Sequence, residues 1–400
     1  SNLGSRGPYP LVPDACTPSA LCADRWLPRL GGMAGRVRPG GLVHTGGSVA
    51  DTCSSAAGDA SDAPATFPTL VFTGHGKALP RAVYSTDATK VLTASHDMTA
   101  MRFDAGTGAR EQTYAGHKGA VLWVRESPDG ALVVTGSSDC TARVFDAVTG
   151  ACRAVLEGHR AQVNMAVLSA DSSKVLTAGA DRVGRLFDVA SGRCQVAFQD
   201  HLGGLYTAAF SADETRVLTA SHDKTAKIYS ASTGDCLITL VGHGAHIYMA
   251  SYSKDSSKVV TASGDGLARV WDAVTGRCLL TLEGHKASVY MALFNGDASK
   301  VVTASNDGTA RLFDADTGAC ERTFEGHLLA VHTIAWSPDE AKVLTASDDR
   351  SVRVWDVASG ECLATYEGFG EHVFSATFSP DGSHILTASE DGLAKLFLVP

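Results

Sequence analysis

Four sets of positions recur along this chain at a constant interval of 42 residues, from residue 75 to residue 391. The first set consists of histidines that mostly follow glycine: His75, His117, His159, His201, His243, His285 and His327, with Phe369 at the eighth place. Two aspartate series and one threonine series, which start at Asp87, Asp97 and Thr93, keep the same step eight times without exception. Because chance does not hold four series in register over such a length, the sequence predicts eight copies of one structural unit.

Each copy is divided by turn-forming residues into four short apolar stretches. They are represented by "VYMALF" (289–294), "KVVTAS" (300–305), "ARVWDA" (268–273) and "CLLTLEGH" (278–285). Turns of the type "SPDG" (127–130), a tight turn that ends in Asp, and "DAVTG" separate them. Short strands joined by Gly, Asp and Pro turns predict a small antiparallel sheet of four strands, and no helix of useful length can be placed.

One such sheet cannot bury both of its faces alone, so neighbouring units must stack. Gly-His, then the turn Asp, then Trp-Asp or Phe-Asp, at a period of 42 residues, resembles the WD40 repeat family. The resemblance covers residues 67 to 398. It implies an all-β fold, a β-propeller in which each repeat contributes one blade.

Eight turn aspartates predict eight blades, because a ring of seven would leave one complete unit outside it. The last unit ends after its third strand, and "TLVFTGH" (69–75) aligns with the fourth strand of the other units. We therefore expect the N-terminal strand to complete the last blade. This closure is typical of the family, and it leaves no open sheet edge.

Residues 1–66 lack the period and differ in composition from the propeller domain at 67–400. They are rich in Gly, Pro, Ser and Ala, and "SVADTCSSAAGDASDAPAT" (48–66) has too little hydrophobicity to order itself. We predict a mostly disordered tail. Its all-Arg basic residues and small residues faintly resemble a transit peptide, but five Asp residues favour a flexible leader without a targeting role.

Charge and cysteine usage narrow the classes of function. The net charge is −9 and lies wholly outside residues 1–66, which disfavours generic nucleic-acid binding. No apolar run is long enough to cross a bilayer. Six cysteines from Cys152 to Cys362 recur on the outermost strands, too far apart for disulfides, and we expect small buried or half-buried thiols. A reducing compartment follows, cytoplasmic or nuclear, with organelle targeting by the tail left open.

We interpret the repeated polar residues as structural residues that stabilise each blade. In WD40 proteins the Gly-His histidine, a strand Ser or Thr, the turn Asp and the Trp form a hydrogen-bonded set, which satisfies buried polar groups. The resemblance implies two complete sets here: His243, Ser263, Asp265 and Trp271, and His327, Ser347, Asp349 and Trp355. A catalytic residue is needed once, whereas these recur at blade spacing, so no catalytic residue is assigned. The basic series that begins at Arg143 is interpreted likewise, as stems lying along the neighbouring sheet.

Function is expected where the copies differ. Five residues after the Gly-His position, five consecutive blades carry a ring: Tyr206, Tyr248, Tyr290, His332 and Phe374. In the family this position faces partners on the top face, as do the neighbouring positions of His246, His372, Asp348 and Glu390. Aromatic anchors with a polar rim predict a surface that binds a protein or peptide. The alternative is that each ring only packs against the next blade.

Three other functions were weighed against this scaffold. A phosphopeptide reader of the kind found in some ubiquitin ligases needs several top-face arginines, and Arg81 and Arg160 are the only non-periodic candidates nearby. A propeller enzyme with a site at the channel mouth needs a unique nucleophile–base pair or carboxylate cluster, and we find none. A metal set of His246, His332 and His372 would draw its ligands from separate blades. We therefore predict no metal and no cofactor.

Overall fold

The computed structural model describes residues 68–400, so the tail predicted over residues 1–66 lies outside the described residues. The regular structure of the described part consists of thirty-two strands in eight antiparallel sheets of four. These are the eight blades that the sequence period predicts. Within this part of the chain no helix is long and apolar enough to cross a membrane.

The strands follow one another in the same order in every blade. The chain begins with β1 (Leu70–Phe72), which is followed in blade 1 by β2 (Arg81–Tyr84), β3 (Lys90–Ala94), β4 (Ala100–Asp104) and β5 (Arg110–Tyr114). Blade 2 contains β6 (Val121–Glu126), β7 (Leu132–Ser137), β8 (Ala142–Asp146) and β9 (Cys152–Leu156). Blade 3 contains β10 (Val163–Leu168), β11 (Lys174–Gly179), β12 (Gly184–Asp188) and β13 (Cys194–Phe198). Blade 4 contains β14 (Leu205–Phe210), β15 (Arg216–Ser221), β16 (Ala226–Ser230) and β17 (Cys236–Leu240).

The second half of the ring repeats this layout. Blade 5 contains β18 (Ile247–Tyr252), β19 (Lys258–Ser263), β20 (Ala268–Asp272) and β21 (Cys278–Leu282). Blade 6 contains β22 (Val289–Phe294), β23 (Lys300–Ser305), β24 (Ala310–Asp314) and β25 (Cys320–Phe324). Blade 7 contains β26 (Val331–Trp336), β27 (Lys342–Ser347), β28 (Val352–Asp356) and β29 (Cys362–Tyr366). Blade 8 contains β30 (Val373–Phe378), β31 (His384–Ser389) and β32 (Ala394–Leu398), with β1 as its fourth strand.

The first strand of every blade lies at the centre of the ring. Each contacts the first strands of the two neighbouring blades, and β30 contacts β2, so the eight form a closed inner circle around a channel. Antiparallel order then places the loops between blades and the turns between second and third strands at one end of the channel. We call this end, which carries the Gly-His loops and the turn aspartates, the top face.

The hydrophobic core lies between blades rather than within them. Eight buried clusters occupy the eight blade interfaces, each formed by central strands of one blade and first strands of the next. Between blades 5 and 6, for example, Val260 and Val270 meet Val289 and Phe313. Successive Val, Leu and Ala residues along a strand point to opposite faces of the sheet, so each strand contributes side chains to two interfaces.

The ring is closed by the N-terminal strand, as predicted. Phe72 of β1 is paired with Ala394 of β32, and its side chain is 2% exposed. The Phe72 ring meets Phe103 of blade 1 edge-on, with 5.4 Å between the ring centroids. One strand thus completes blade 8 by hydrogen bonds and joins it to blade 1 by packing.

The periodic cysteines begin the outermost strands of blades 2 to 7, on separate sheets, as expected. Their predicted burial is wrong for Cys152, Cys194, Cys278 and Cys320, whose side chains are exposed. Outer strands have no further strand beside them, so the residues at their start face solvent, whereas the last residue of each, such as Leu282, is buried. The exposed thiols keep local contacts, such as Cys278 Sγ with Leu280 O at 3.4 Å.

We expect Phe72→Ala to destabilise the propeller by about 3–5 kcal/mol, because it removes a buried ring from the interface that closes the circle. Val71→Ala is the matched control, since Val71 lies on the same strand with 38% of its surface exposed. Urea denaturation of both variants measures the difference. Equal, small losses would show that β1 is not part of the closing interface.

Candidate functional site

Hydrogen-bonded sets hold the loops of the top face in place. In blade 5, His243 Nδ1 donates to Asp265 Oδ2 at 2.9 Å, and Thr261 Oγ1 donates to His243 Nε2 at 2.7 Å. The last hydrogen bond of this set comes from Trp271, whose Nε1 donates to Thr261 Oγ1 at 2.8 Å. Asp265 also accepts the Gly244 amide at 2.8 Å. One buried carboxylate therefore ties the loop before the blade to the turn between its second and third strands.

The serines predicted for these sets occupy a different place, and this part of the prediction is wrong. Ser263 Oγ donates to Ala245 O and accepts the Asp265 amide, both at 3.2 Å, so it braces the turn without touching the histidine. The second Trp-containing set likewise uses a threonine. His327 is hydrogen-bonded to Asp349 at 2.9 Å, and both His327 and Trp355 are hydrogen-bonded to the hydroxyl of Thr345 at 2.8 Å. Ser347 braces the turn there. Both residues lie on the same face of β19, and the strand register explains the choice, since Trp271 is paired with Val259 and so lies nearer to Thr261 than to Ser263.

A further donor to the turn Asp completes the set in each blade, and it changes with the residue two places after that Asp. Where that residue is Thr or Ser, its hydroxyl donates to the Asp, as Thr225 does to Asp223 at 2.6 Å. Where it is apolar, the periodic basic residue turns in instead: Arg269 Nη1 donates to Asp265 at 3.1 Å beside Leu267. Arg185 beside Val183 does the same in blade 3, and in blade 8 Lys395 beside Leu393 forms an ion pair with Asp391 at 3.6 Å. The basic series therefore does more than cover the neighbouring sheet.

The surroundings of this set lower the pKa of both Asp265 and His243. Burial acts to raise the pKa of Asp265, but the Gly244 amide, His243 and Arg269 outweigh it and lower the pKa to about 2. Burial lowers the pKa of His243, and the neighbouring Asp265 only partly opposes this. The folded state thus favours a neutral histidine beside an ionised aspartate, which is the protonation state that the hydrogen bonds require.

The predicted partner-binding rings lie on β-bulges, which the sequence did not reveal. In β14 the register passes from Leu205 opposite Ser221 to Thr207 opposite Ala220, so Tyr206 has no partner across the sheet. The same shift leaves Tyr248, Tyr290, His332 and Phe374 without a strand partner in blades 5 to 8. A bulge redirects a side chain out of the regular alternation. The bulge at the start of each inner strand therefore sets the direction of these five side chains.

Four of the five rings form a continuous row across blades 4 to 7, which we call the aromatic row: Tyr206, Tyr248, Tyr290 and His332. The ring centroids of successive members lie 5.5, 5.3 and 5.2 Å apart, and the last pair is stacked. The three tyrosines are half-buried. Burial raises the pKa of Tyr206 and of Tyr290 to about 12, so both hydroxyls stay protonated and can donate hydrogen bonds. Among the residues described, Phe374 makes no ring contact with this row.

A pair of histidines stands beside the row at blades 4 and 5. The rings of His222 and His246 lie 3.5 Å apart, and His246 Nδ1 donates to His222 O at 2.9 Å. Both rings meet the row edge-on, His222 at Tyr206 and His246 at Tyr248. Burial lowers the pKa of His222, and the proximity of His246 adds to this. His222 is absent from the predicted site, although its variable position before the turn Asp could have indicated it.

Two of the predicted histidines meet at Asp348, at blades 7 and 8. His332 Nε2 contacts Asp348 Oδ1 at 2.7 Å, and His372 Nδ1 donates to the Asp348 carbonyl at 2.8 Å. The structure thus divides the three histidines weighed as a metal set into two clusters. Among the described residues the group closest to a metal site is His372 with Glu371 and the predicted Glu390, whose ligand atoms lie within 4.8 Å of one another. Both glutamates are exposed, and such groups are common without an ion.

Comparison with known proteins agrees with the repeated four-stranded blades of this structure. The family model described as "WD40: WD domain, G-beta repeat" matches residues 108–146, 150–188, 192–230, 234–272, 276–314, 318–356 and 360–397, which is more than half of the chain. A search of curated proteins found no match. Among solved structures, the crystal structure of the computationally designed Ika8 protein is similar, with 26% identity and a TM-score of 0.75 over 83% of this chain and 99% of that chain.

We expect Thr261→Val to destabilise the protein by about 1 kcal/mol more than Thr303→Val does. Both threonines are fully buried and contact a histidine, but only Thr261 also accepts an indole N–H. The first substitution therefore leaves two polar groups without a partner and the second leaves one. Thermal and urea denaturation measure the difference. Equal losses would show that the indole adds nothing to the set.

Acid should destabilise the propeller in two stages. The pKa of His243 is lowered in the folded state, so stability falls as the pH drops below about 6.5, where the unfolded chain binds the proton first. The pKa of Asp265 is also lowered, to about 2, so its stabilising contribution is full above about pH 4 and is lost as the pH falls through 2. Urea denaturation across this range measures both stages.

The control for the second stage is a paired substitution. Asp265→Asn should reduce the loss of stability between about pH 4 and pH 2 by about 2 kcal/mol. Asp316→Asn removes an aspartate with 76% of its side chain exposed and should leave the profile of the wild type. The assignment fails if the two variants lose stability in parallel.

Proposed function

This chain belongs to the WD40 repeat family, and from that premise we propose that it is a non-catalytic adaptor whose top face binds a protein or peptide partner. The observation that carries the proposal is the aromatic row, a line of rings over four consecutive blades. The repeat itself does not require these rings, since the equivalent positions in blades 1 to 3 are Pro80, Leu122 and Asn164. Large rigid rings with a polar tip supply much contact area at a small entropic cost.

Exposed apolar side chains at the two ends of the aromatic row support this proposal. Leu202 enters blade 4 with 83% of its surface exposed, and Leu328 enters blade 7 with 85% exposed. Both directly follow a Gly-His-type histidine, so they belong to the top-face loops. Polar groups border the same surface, namely the His222–His246 pair at blades 4 and 5 and Asp348 at blade 7. Apolar anchors within a polar rim are the pattern of a protein interface.

The phosphopeptide alternative is less well supported. It draws on Arg81 and Arg160, but Arg81 lies on the inner strand β2 with its guanidinium over Trp123, 3.6 Å from the ring centroid. Only Arg160 stays on a top-face loop, where its side chain is exposed. A phosphorylated segment bound on the top face would thus meet one arginine instead of a cluster. We therefore favour the aromatic row as the partner-binding surface.

We expect the double substitution Tyr248→Ala and Tyr290→Ala to weaken partner binding by at least about tenfold, because each ring is a candidate for an energetically dominant contact. Affinity capture with quantitative mass spectrometry compares this variant with the wild type. The matched control is Val148→Ala with Val274→Ala, two exposed residues of third-to-fourth-strand turns at the opposite end of the channel. Partners captured by the wild type and the control but lost from the tyrosine variant support the proposal, whereas equal capture by all three contradicts it.

A further inference from the structure

Two pairs of histidines stand on the top face, three blades apart: His222 with His246, and His332 with His372. His246 and His372 occupy equivalent positions of the repeat, and each donates its Nδ1–H to a carbonyl of the preceding blade. The two acceptors are also equivalent, namely His222 O at 2.9 Å and Asp348 O at 2.8 Å. The pairs therefore share one backbone arrangement and differ in the side chain that the acceptor residue carries.

At blades 7 and 8 that side chain is a carboxylate that serves both histidines. Asp348 Oδ1 lies 2.7 Å from His332 Nε2 and 3.3 Å from His372 Nδ1. At blades 4 and 5 the equivalent residue is His222, whose ring lies 3.5 Å from that of His246. Within residues 68–400 neither of these two rings forms an ion pair with a carboxylate. This pair thus lacks the anion that its counterpart contains.

The His222–His246 pair also presents ring nitrogens that are free to bind. In the described part of the chain, neither nitrogen of His222 has a hydrogen-bond partner, and Nε2 of His246 has none. His222 is exposed, so a ligand can reach it. Tyr206 and Tyr248 meet the pair edge-on, and burial raises the pKa of both hydroxyls, which therefore stay protonated.

A positive charge on this pair has no free counter-charge beside it. Burial lowers the pKa of His222, and the proximity of His246 lowers it further. The carboxylate that opposes this shift belongs to Asp223, which already accepts hydrogen bonds from His201 and Thr225. Since an opposite charge at short range favours the charged form of a group, an incoming carboxylate would favour protonation of the pair.

We propose that the His222–His246 pair binds the carboxylate of an Asp or Glu side chain in the partner peptide. This carboxylate corresponds to that of Asp348 at blades 7 and 8, and it accepts hydrogen bonds from both rings, one of which is protonated on binding. A side chain suits the site because the pair lies between Leu202 and Leu328, the exposed residues at the ends of the aromatic row, so a peptide that reaches both continues on either side. The inference rests on the proposed adaptor function and names the chemistry of the partner.

The test is selection of peptides from a random library displayed on phage, with the full chain as the target at pH 6.5. Peptides enriched by the wild type should carry Asp or Glu at one fixed position. His222→Ala should lose this preference and keep the preference for apolar residues. The matched control is His96→Ala, because His96 holds the equivalent position in blade 1, and it should select the same peptides as the wild type. Circular dichroism checks the fold of each variant.

Calorimetry with the most enriched peptide supplies a second readout. Its Kd for the wild type should be about tenfold lower at pH 6 than at pH 8, because the bound form takes up a proton that the free pair binds only at lower pH. Either His222→Ala or replacement of the acidic residue of the peptide by its amide should remove this dependence. A Kd of the wild type that does not change with pH would contradict the proposal.

The selection also separates this inference from the adaptor function. Peptides that require Tyr248 and Tyr290 but carry no fixed acidic position would overturn the carboxylate site and leave the adaptor function standing. An acidic preference that survives His222→Ala, or is lost equally in His96→Ala, would overturn the site as well. If the wild type enriches no peptide, both proposals fail.

Discussion

The fold depends on one constraint, that a four-stranded sheet with two apolar faces has no stable place except between two others. Val260 and Val270 of blade 5 are buried only because Val289 and Phe313 of blade 6 lie against them. The same relation holds at all eight interfaces, so each blade depends on both neighbours and the ring must close. Phe72 satisfies that requirement at the junction between the two ends of the domain, where β1 belongs to blade 8 by hydrogen bonding and packs on blade 1.

Interblade burial fixes the ring, while the hydrogen-bonded sets fix its top face. Each turn Asp reaches back to the loop that precedes its own blade, as Asp265 does to His243 and the Gly244 amide. The loops that surround the channel mouth are therefore held by buried polar contacts, and their variable residues can change without loss of the frame. The exchange between a Thr hydroxyl and an Arg guanidinium as the further donor shows that the requirement is for a hydrogen bond to the Asp, whichever residue donates it.

Variable positions on this frame fall into two groups with different surroundings. The aromatic row lies on bulges at the channel mouth, where its rings contact one another and its three tyrosines remain half-buried. Arg81 and Arg125 lie on the regular part of the inner strands, where the Arg81 guanidinium stacks on Trp123 and the Arg125 side chain is exposed. Ring contacts extended over four blades suit a partner that spans the face.

The sequence by itself determined the number of blades, the four strands of each, the closing strand and the division between repeated and variable residues. All of these follow from a period, which is a property of the chain in one dimension. The prediction from the sequence placed Ser263 instead of Thr261 in the hydrogen-bonded set, expected buried or half-buried thiols at Cys152 and its equivalents, and overlooked His222 beside His246. Only the tertiary structure decided these points. A period does not tell which of two hydroxyls on the same strand face reaches an indole, whether a residue on an outer strand is covered, or where a bulge turns a side chain. Each of these depends on the distance between atoms that are far apart in sequence.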